Sequence, residues 1–328
     1  MKSFVLFFLL LTSSIVYSKS NDSPNLQTKL TQDLEWKEWI KNLKLKLSEK
    51  SEFKKQTIDI LDNLTFNKKV VELDRKQPEF TILFEQYLQR NVNKKTKTEL
   101  KKKFNQNITL LKKIENKFDV DSKVIVSLWS IETNFGTYTG KFDIIRSLTS
   151  LAYDGRRKDF FMRELKLALK ILDDGHILRK NFKGSWAGAF GQTQFMPSTF
   201  HKFAIDFDGN NKINLLEKED ALASGANYLK SAGWNSSLNW GEKVSLQLNP
   251  ELIELSKKKK FKSLKYWKKY GIILKNKYND DDLLKLIIPD SKDNQCFLVS
   301  KNFDVILDWN RSNYFALSVF LLSDEIQK

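Results

Sequence analysis

Glu132 is the residue most open to acid chemistry. It sits in Ser127-Leu-Trp-Ser-Ile-Glu-Thr-Asn-Phe-Gly136, near the end of the most apolar helical stretch in the chain. Burial among Trp129, Ile131 and Phe135 disfavours an ionised carboxylate. The negative end of a helix dipole, one turn before Gly136, pushes the same way. Both effects raise the pKa, and a carboxyl still protonated near neutrality is what a general acid requires. Taken alone, a Glu in this place reads more readily as a structural side chain bonded to nearby backbone. A second segment changes the balance: Gly184-Ser-Trp-Ala-Gly-Ala-Phe-Gly-Gln-Thr-Gln-Phe-Met-Pro-Ser-Thr-Phe200, where three of the twelve glycines fall within eight positions. Glycine and alanine let backbone approach a ligand closely. Ser185, Gln192 and Gln194 can hydrogen-bond hydroxyls and amides, and Trp186, Phe195 and Phe200 can cover sugar faces. A tight helix–helix crossing would use the same small residues, and spacing alone leaves both readings open.

A third segment carries metal-ligand spacing. Asp206-Phe-Asp-Gly-Asn-Asn-Lys-Ile-Asn-Leu-Leu-Glu217 matches an EF-hand loop at Asp206, Asp208, Asn210, Ile213 and Glu217. Asn211 stands where glycine is usual, and asparagine tolerates left-handed backbone better than most residues. So few carboxylates imply modest calcium affinity and a structural role; a loop of Asx turns without an ion is the plainer alternative. Lysines 257, 258, 259, 260, 262, 265, 268 and 269 form a dense basic stretch interleaved with Phe261, Tyr266 and Trp267, read here as a solvated face. His176 and His201 are too isolated to act as ligands, and Cys296, in an apolar strand, reads as a buried thiol.

The elements that must position these groups are mostly helical. With 12 Gly and 5 Pro in 328 residues, against roughly 23 and 16 at average usage, the chain has few breakers. Apolar residues recur at three- and four-residue spacing from Trp36 to Leu47, as one face of a helix requires. Similar patterns predict helices over Phe53–Leu64, Phe80–Leu88, Leu100–Phe118, Asp121–Phe135, Phe160–Asp173, Asp220–Ala232 and Tyr314–Ile326. After Trp240 the texture changes. Lys243–Leu248 alternates like a strand, and Gln295–Ser300 with Phe303–Leu307 reads as a hairpin around Lys301-Asn302. The organisation expected is a 27–112 helical domain completed by 308–328, a 113–240 core, and a small α/β insertion at 241–307.

Composition narrows the function classes. One cysteine and two histidines exclude a disulfide framework, an iron–sulfur site and cysteine-ligated zinc. The formal charge of +16 points to an anionic partner. At the N-terminus, Met1-Lys2, the apolar run Phe4 to Val16 and the small-residue exit Val16-Tyr17-Ser18 read as a secretory signal peptide over 1–18. No cysteine follows that run for lipid attachment, and no later stretch suggests a transmembrane segment. The expectation is an exported, periplasmic, monomeric protein, for which nucleic acid is a poor partner.

These residues closely resemble the lytic murein transglycosylases of the B type, within the lysozyme-like superfamily. The resemblance runs from Asp74-Arg-Lys-Gln-Pro-Glu-Phe80 through the Glu132 and 184–198 motifs to Trp309-Asn-Arg-Ser-Asn-Tyr-Phe-Ala316. It covers most of the chain beyond residue 18 and is weakest across the lysine-rich insertion. It implies a mainly α fold: a lysozyme-like helical core, an additional α-helical domain and a small partly β insertion. It places Glu132 as the single catalytic acid. Ser185, Gln194, Tyr228, Asn310 and Tyr314 take positions lining a glycan groove, with Trp309 standing where some relatives have tyrosine. It also suggests a slightly longer metal loop, closed by Asp220 instead of Glu217, with Asp206, Asp208, Asn210, Lys212 and Asp220 as ligands for a structural calcium.

A glycosidase ordinarily needs two carboxylates, and no obvious partner accompanies Glu132. One suffices if the sugar supplies its own nucleophile. In the reaction the resemblance implies, no cofactor takes part. Glu132 protonates the glycosidic oxygen between N-acetylmuramic acid and N-acetylglucosamine, then accepts the proton of the muramic C6 hydroxyl as that oxygen attacks C1. The product is a 1,6-anhydromuramic end. A hydrolytic muramidase on the same scaffold and a non-catalytic peptidoglycan-binding protein are the rival expectations.

Overall fold

The computed structural model describes residues 26–49, 52–76, 82–290 and 295–326. The expected signal peptide over 1–18 and the 77–80 portion of the Asp74–Phe80 motif lie outside them. The fold is mainly α, with fifteen α-helices and six short strands among the described residues. None of these helices is long and apolar enough to cross a membrane. The chain divides into two compact units, one holding 79–137 and 222–328, the other 8–78 and 138–221.

The first unit is organised around the Ser122–Thr133 helix. Asp121 caps it by accepting the Lys123 N–H, and it stops where Asn134 turns left-handed at φ 48°. Its apolar run leaves almost no polar face, and Val124, Ile125, Val126, Leu128 and Trp129 are all buried. Such a helix is stable only when surrounded. The Lys94–Gln106, Ile108–Phe118 and Asn313–Glu325 helices pack on it. Asn313–Glu325 is equally apolar, burying Phe315, Leu317, Val319, Phe320 and Leu322.

A four-stranded antiparallel sheet completes this unit in the order Gly241–Val244, Cys296–Val299, Leu283–Ile287, Lys262–Ser263. Gly241 pairs with Val299, Leu286 with Leu298 and Lys262 with Leu284. Val244, Leu284, Leu286, Cys296 and Leu298 share a core with Trp267 and Leu252 from the short helices beside them. On alternate positions Phe297 turns the other way and meets Phe84 at 6.1 Å. A sheet covered on both faces reads as continuous apolar runs, as Cys-Phe-Leu-Val does here.

Two sequence expectations are corrected in this unit. Leu100–Phe118 is two helices, because Asn107 leaves helical geometry and turns its side-chain amide back to the Lys103 carbonyl at 2.8 Å. Asparagine competes for backbone in this way and so breaks helices. There is also no hairpin around Lys301-Asn302: Cys296–Val299 takes both its partners elsewhere, and Lys301–Trp309 is a helix. Ser300 caps that helix by accepting the Asn302 N–H, and Asp304 sits in its first turn. That N-terminal signal outweighs the strand propensity of Phe303, Val305 and Ile306.

In the second unit the Ile144–Asp154 and Lys158–Asp173 helices form a hairpin turned at Gly155, φ 88°. Asp74, 1% exposed, receives Arg156 at 2.7 Å and Arg157, tying the Lys68–Arg75 helix to that turn. Phe53–Leu64 is shorter than its pattern suggests: a five-residue helix, Lys55–Asp59, and one 3-10 turn over Ile60–Asn63. A two-residue ladder pairs Phe142 with Gly184 and Asp143 with Lys183. It starts the glycine-rich segment, whose small residues serve a loop folded tightly on itself, not a helix crossing. A Cβ on Gly184 would stand 2.2 Å from the Ala189 carbonyl oxygen.

Candidate active site

Glu132 lies in the last turn of the Ser122–Thr133 helix, in the first unit. Its Oε1 accepts the indole N–H of Trp309 at 2.8 Å, across 177 residues of chain. Desolvation by the packed surroundings raises its pKa to about 7, and the Trp309 hydrogen bond opposes that rise. No other carboxylate contributes to the shift among the described residues. Oε2 accepts no hydrogen bond from them.

Trp309 ends the Lys301–Trp309 helix, where Asn310 leaves helical geometry for an extended one. Its ring meets that of Tyr228 edge-on, 5.0 Å between centroids and 72° between planes. Tyr228 in turn donates its hydroxyl to the Asp308 carbonyl at 2.8 Å. Asn310 is buried, and its side-chain oxygen accepts the Ser312 N–H at 3.2 Å. Tyr314, four residues on, packs 5.1 Å from Phe84 and 5.7 Å from Tyr87. Burial first, then the negative charge available at Glu132, hold the Tyr87 phenol well above its ordinary pKa. Of the five residues expected to meet glycan, Tyr228, Asn310 and Tyr314 therefore gather in the unit that carries Glu132.

Tyr87 and the Trp309 donor were not foreseen from sequence. Tyr87 sits in an ordinary amphipathic helix, Phe84–Asn91, and no local pattern marks it. Trp309 stood out only as an aromatic replacement, with nothing to link it to Glu132.

Ser185 and Gln194 belong to the second unit. Ser185 is 1% exposed, and its Oγ accepts the Ala189 N–H at 2.9 Å while its own N–H meets the Ala189 carbonyl at 2.8 Å. Its hydroxyl proton is left to donate. Gln194 holds a left-handed φ of 51°, and its amide donates to the carbonyls of Thr139 at 3.0 Å and Gly191 at 2.9 Å. These two residues shape the loop with one half of their polar capacity and keep the other.

The metal-type loop lies in the same unit. Carboxylate oxygens of Asp206, Asp208 and Asp220 all fall within 4.8 Å of one another. Asp220 is fully buried; it accepts the Phe207 N–H at 2.8 Å and the Asn214 N–H at 2.7 Å, clamping both ends of the loop. Asp206 accepts from Gly209 at 2.7 Å and from Asn211 at 2.7 Å, and Asn211 adopts φ 65° as its position in the motif demands. Asn210 Oδ1 receives the Lys212 N–H at 2.9 Å. Glu217 is exposed and outside the cluster. Desolvation raises the Asp220 pKa, and Asp208 adds to it against the backbone donors. Hard oxygen donors crowded at this spacing fit a hard divalent cation, which relieves that mutual repulsion.

Comparison with known proteins gives consistent matches. The family model described as Transglycosylase SLT domain matches residues 35–324. Membrane-bound lytic murein transglycosylase B of Escherichia coli (strain K12) is 31% identical over 212 residues, covering 64% of this chain and 58% of that protein. The chain thus spans less than two thirds of that relative's length. SltB3 from Pseudomonas aeruginosa in complex with NAG-anhNAM-pentapeptide superposes with a TM-score of 0.82 at 34% identity, over 89% of this chain and 79% of that one. The Escherichia coli lytic transglycosylase Slt35 in complex with calcium superposes with a TM-score of 0.75 at 26% identity, over 88% and 92%.

Proposed function

The chain belongs to the transglycosylase SLT domain family, and we propose that it is a peptidoglycan lytic transglycosylase in which Glu132 serves as acid and then as base. One observation carries this reading: a carboxyl lifted to about pKa 7 by desolvation, with a single donor, on Oε1, and no second carboxylate acting on it among the described residues. At neutral pH such a group is part protonated, so it can give its proton to the glycosidic oxygen of the N-acetylmuramic acid–N-acetylglucosamine link. The carboxylate left behind then takes the proton of the muramic C6 hydroxyl as that oxygen bonds to C1. The glycosidic C–O bond breaks, a C6–O–C1 bond forms, and no water enters. The proton returns to Glu132, which is ready for the next link. The substrate's 2-acetamido group stabilises the cation between the two steps.

Tyr228, Asn310 and Tyr314 contact the glycan, and so do Ser185 through its hydroxyl proton and Gln194 through the side-chain carbonyl oxygen left once its amide donates to Thr139 and Gly191; the family resemblance supports each assignment. Asp206, Asp208, Asn210, the Lys212 carbonyl and Asp220 hold a structural calcium, supported by the carboxylate spacing and by the calcium complex of Slt35. Calcium there joins loop to helix and takes no part in bond cleavage. The 1–18 segment directs export to the periplasm, where the basic chain acts as a monomer on an anionic polymer.

Digestion of purified sacculi with product mass spectrometry tests the reaction. Anhydro ends, one water lighter than hydrolysed ends, support the lyase. Hydrolysed ends would make the enzyme a muramidase, and binding without release would make it a non-catalytic wall protein.

A further inference from the structure

We infer that Trp309 is a positioning residue that keeps the Glu132 proton on Oε2, making that oxygen the one that meets the glycosidic bond. The inference rests on Glu132 being the acid, and adds which of its two oxygens does the work.

An indole N–H can only donate. Its bond to Oε1 at 2.8 Å therefore requires Oε1 to present a lone pair, in the acid as in the carboxylate. A protonated Oε1 would still accept from the indole, but as a hydroxyl oxygen it is a much weaker acceptor than a carbonyl oxygen. The donor therefore favours the form with the carbonyl at Oε1 and the proton on Oε2, which accepts no hydrogen bond among the described residues. A tyrosine hydroxyl would not discriminate, because it donates to a carboxylate oxygen and accepts from a protonated one. Trp309 is itself held from two sides. Its ring meets Tyr228 at 5.0 Å, Tyr228 is anchored on the Asp308 carbonyl, and the helix ends at Trp309 with the Asn310 N–H returning to Ile306 at 2.9 Å. The donor therefore reaches Oε1 from a fixed direction, and a fixed proton is the geometric requirement of general acid catalysis.

The test compares Trp309→Phe and Trp309→Tyr by pH–rate profile on sacculi. Phe keeps an aromatic ring and removes the donor. A donor to the carboxylate lowers its pKa, so its loss moves the basic limb of the profile upward, by about one pH unit. The maximal rate falls roughly tenfold, while KM stays near the parent value. Tyr restores the limb toward the parent position but not the maximal rate, because the proton is then shared between oxygens. A basic limb unmoved in Trp309→Phe, with the loss confined to KM, overturns the inference and makes Trp309 a glycan platform. If either variant fails to fold, the parent decides. The Trp309 indole 15N–H resonance should titrate with Glu132 and lose that inflection in Glu132→Gln; a resonance indifferent to Glu132 overturns the inference. Full activity in Glu132→Gln would remove the catalytic reading itself, whereas an inactive Glu132→Gln with an unmoved Trp309 profile removes only the role of Trp309.

Discussion

Around Glu132 the chain strips away water and offers one donor, whereas around Asp206, Asp208 and Asp220 it crowds like charges and surrounds them with backbone N–H groups. Both regions take a carboxylate away from its ordinary behaviour. The apolar helix favours the neutral acid, which can lend a proton. The polar loop keeps oxygens turned inward on a shared point, which suits a cation. Residue type is nearly the same in the two places. What differs is whether the surroundings solvate negative charge, and this decides between proton donor and ligand.

The largest effect that could break this contrast is on chemistry. Glu132→Gln should lower muropeptide release from sacculi by about 10³-fold while leaving sacculus binding near the parent level, read by turnover and pull-down. Release at the parent rate would mean this half-buried carboxyl is structural. Asp220→Ala should cost about 3 kcal/mol of stability, since it strands the N–H groups of Phe207 and Asn214 at a buried site. It should also abolish any calcium-dependent rise in melting temperature.

A third measurement sharpens the difference through pH. A carboxyl whose pKa is about 7 in the fold and 4.5 when unfolded binds its proton more tightly in the native state. Its contribution favours folding below about pH 4.5 and is lost as the pH climbs toward 7. The stability gap between Glu132→Gln and the parent should therefore widen in favour of the variant by about 2–3 kcal/mol from pH 4 to pH 8. A constant gap in denaturant titrations would contradict the raised pKa.

Calcium supplies a smaller shift. At ten to a hundred times its Kd it should stabilise the protein by about 1–3 kcal/mol, seen as a rise of a few degrees in Tm that chelation reverses. The rate on sacculi at 25 °C should scarcely change, because the loop supplies no reacting group. The smallest effect belongs to Asn211→Gly. Asn211 holds φ 65° where glycine is usual in such loops, so the change should alter stability by less than about 0.5 kcal/mol: relief of the left-handed backbone offsets the added unfolded-state freedom.

Much of both regions was legible because it is local. The Ser122–Thr133 helix follows from its apolar run and the Asp121 cap, and the Asp206–Asp220 loop from side chains spaced two residues apart. Errors arose where local signals competed. Phe303, Val305 and Ile306 favour a strand by type, but Ser300 and Asp304 start a helix there. Leu100–Phe118 has the apolar rhythm of one helix, yet the Asn107 amide turns back to Lys103 and splits it.

From its order of residues alone the chain determines that it is helical, where its sheet region falls, that Glu132 lies in an apolar setting, and that an Asx-rich loop has cation spacing. Capping, periodicity and turn preference act within a few residues, so they survive in a linear reading. The tertiary structure alone decided that Trp309 donates to Glu132 and that Tyr87 stands within reach of its charge. Those outcomes depend on which distant surfaces pack together, and packing is settled by the fit of whole elements, for which spacing along a chain holds no record.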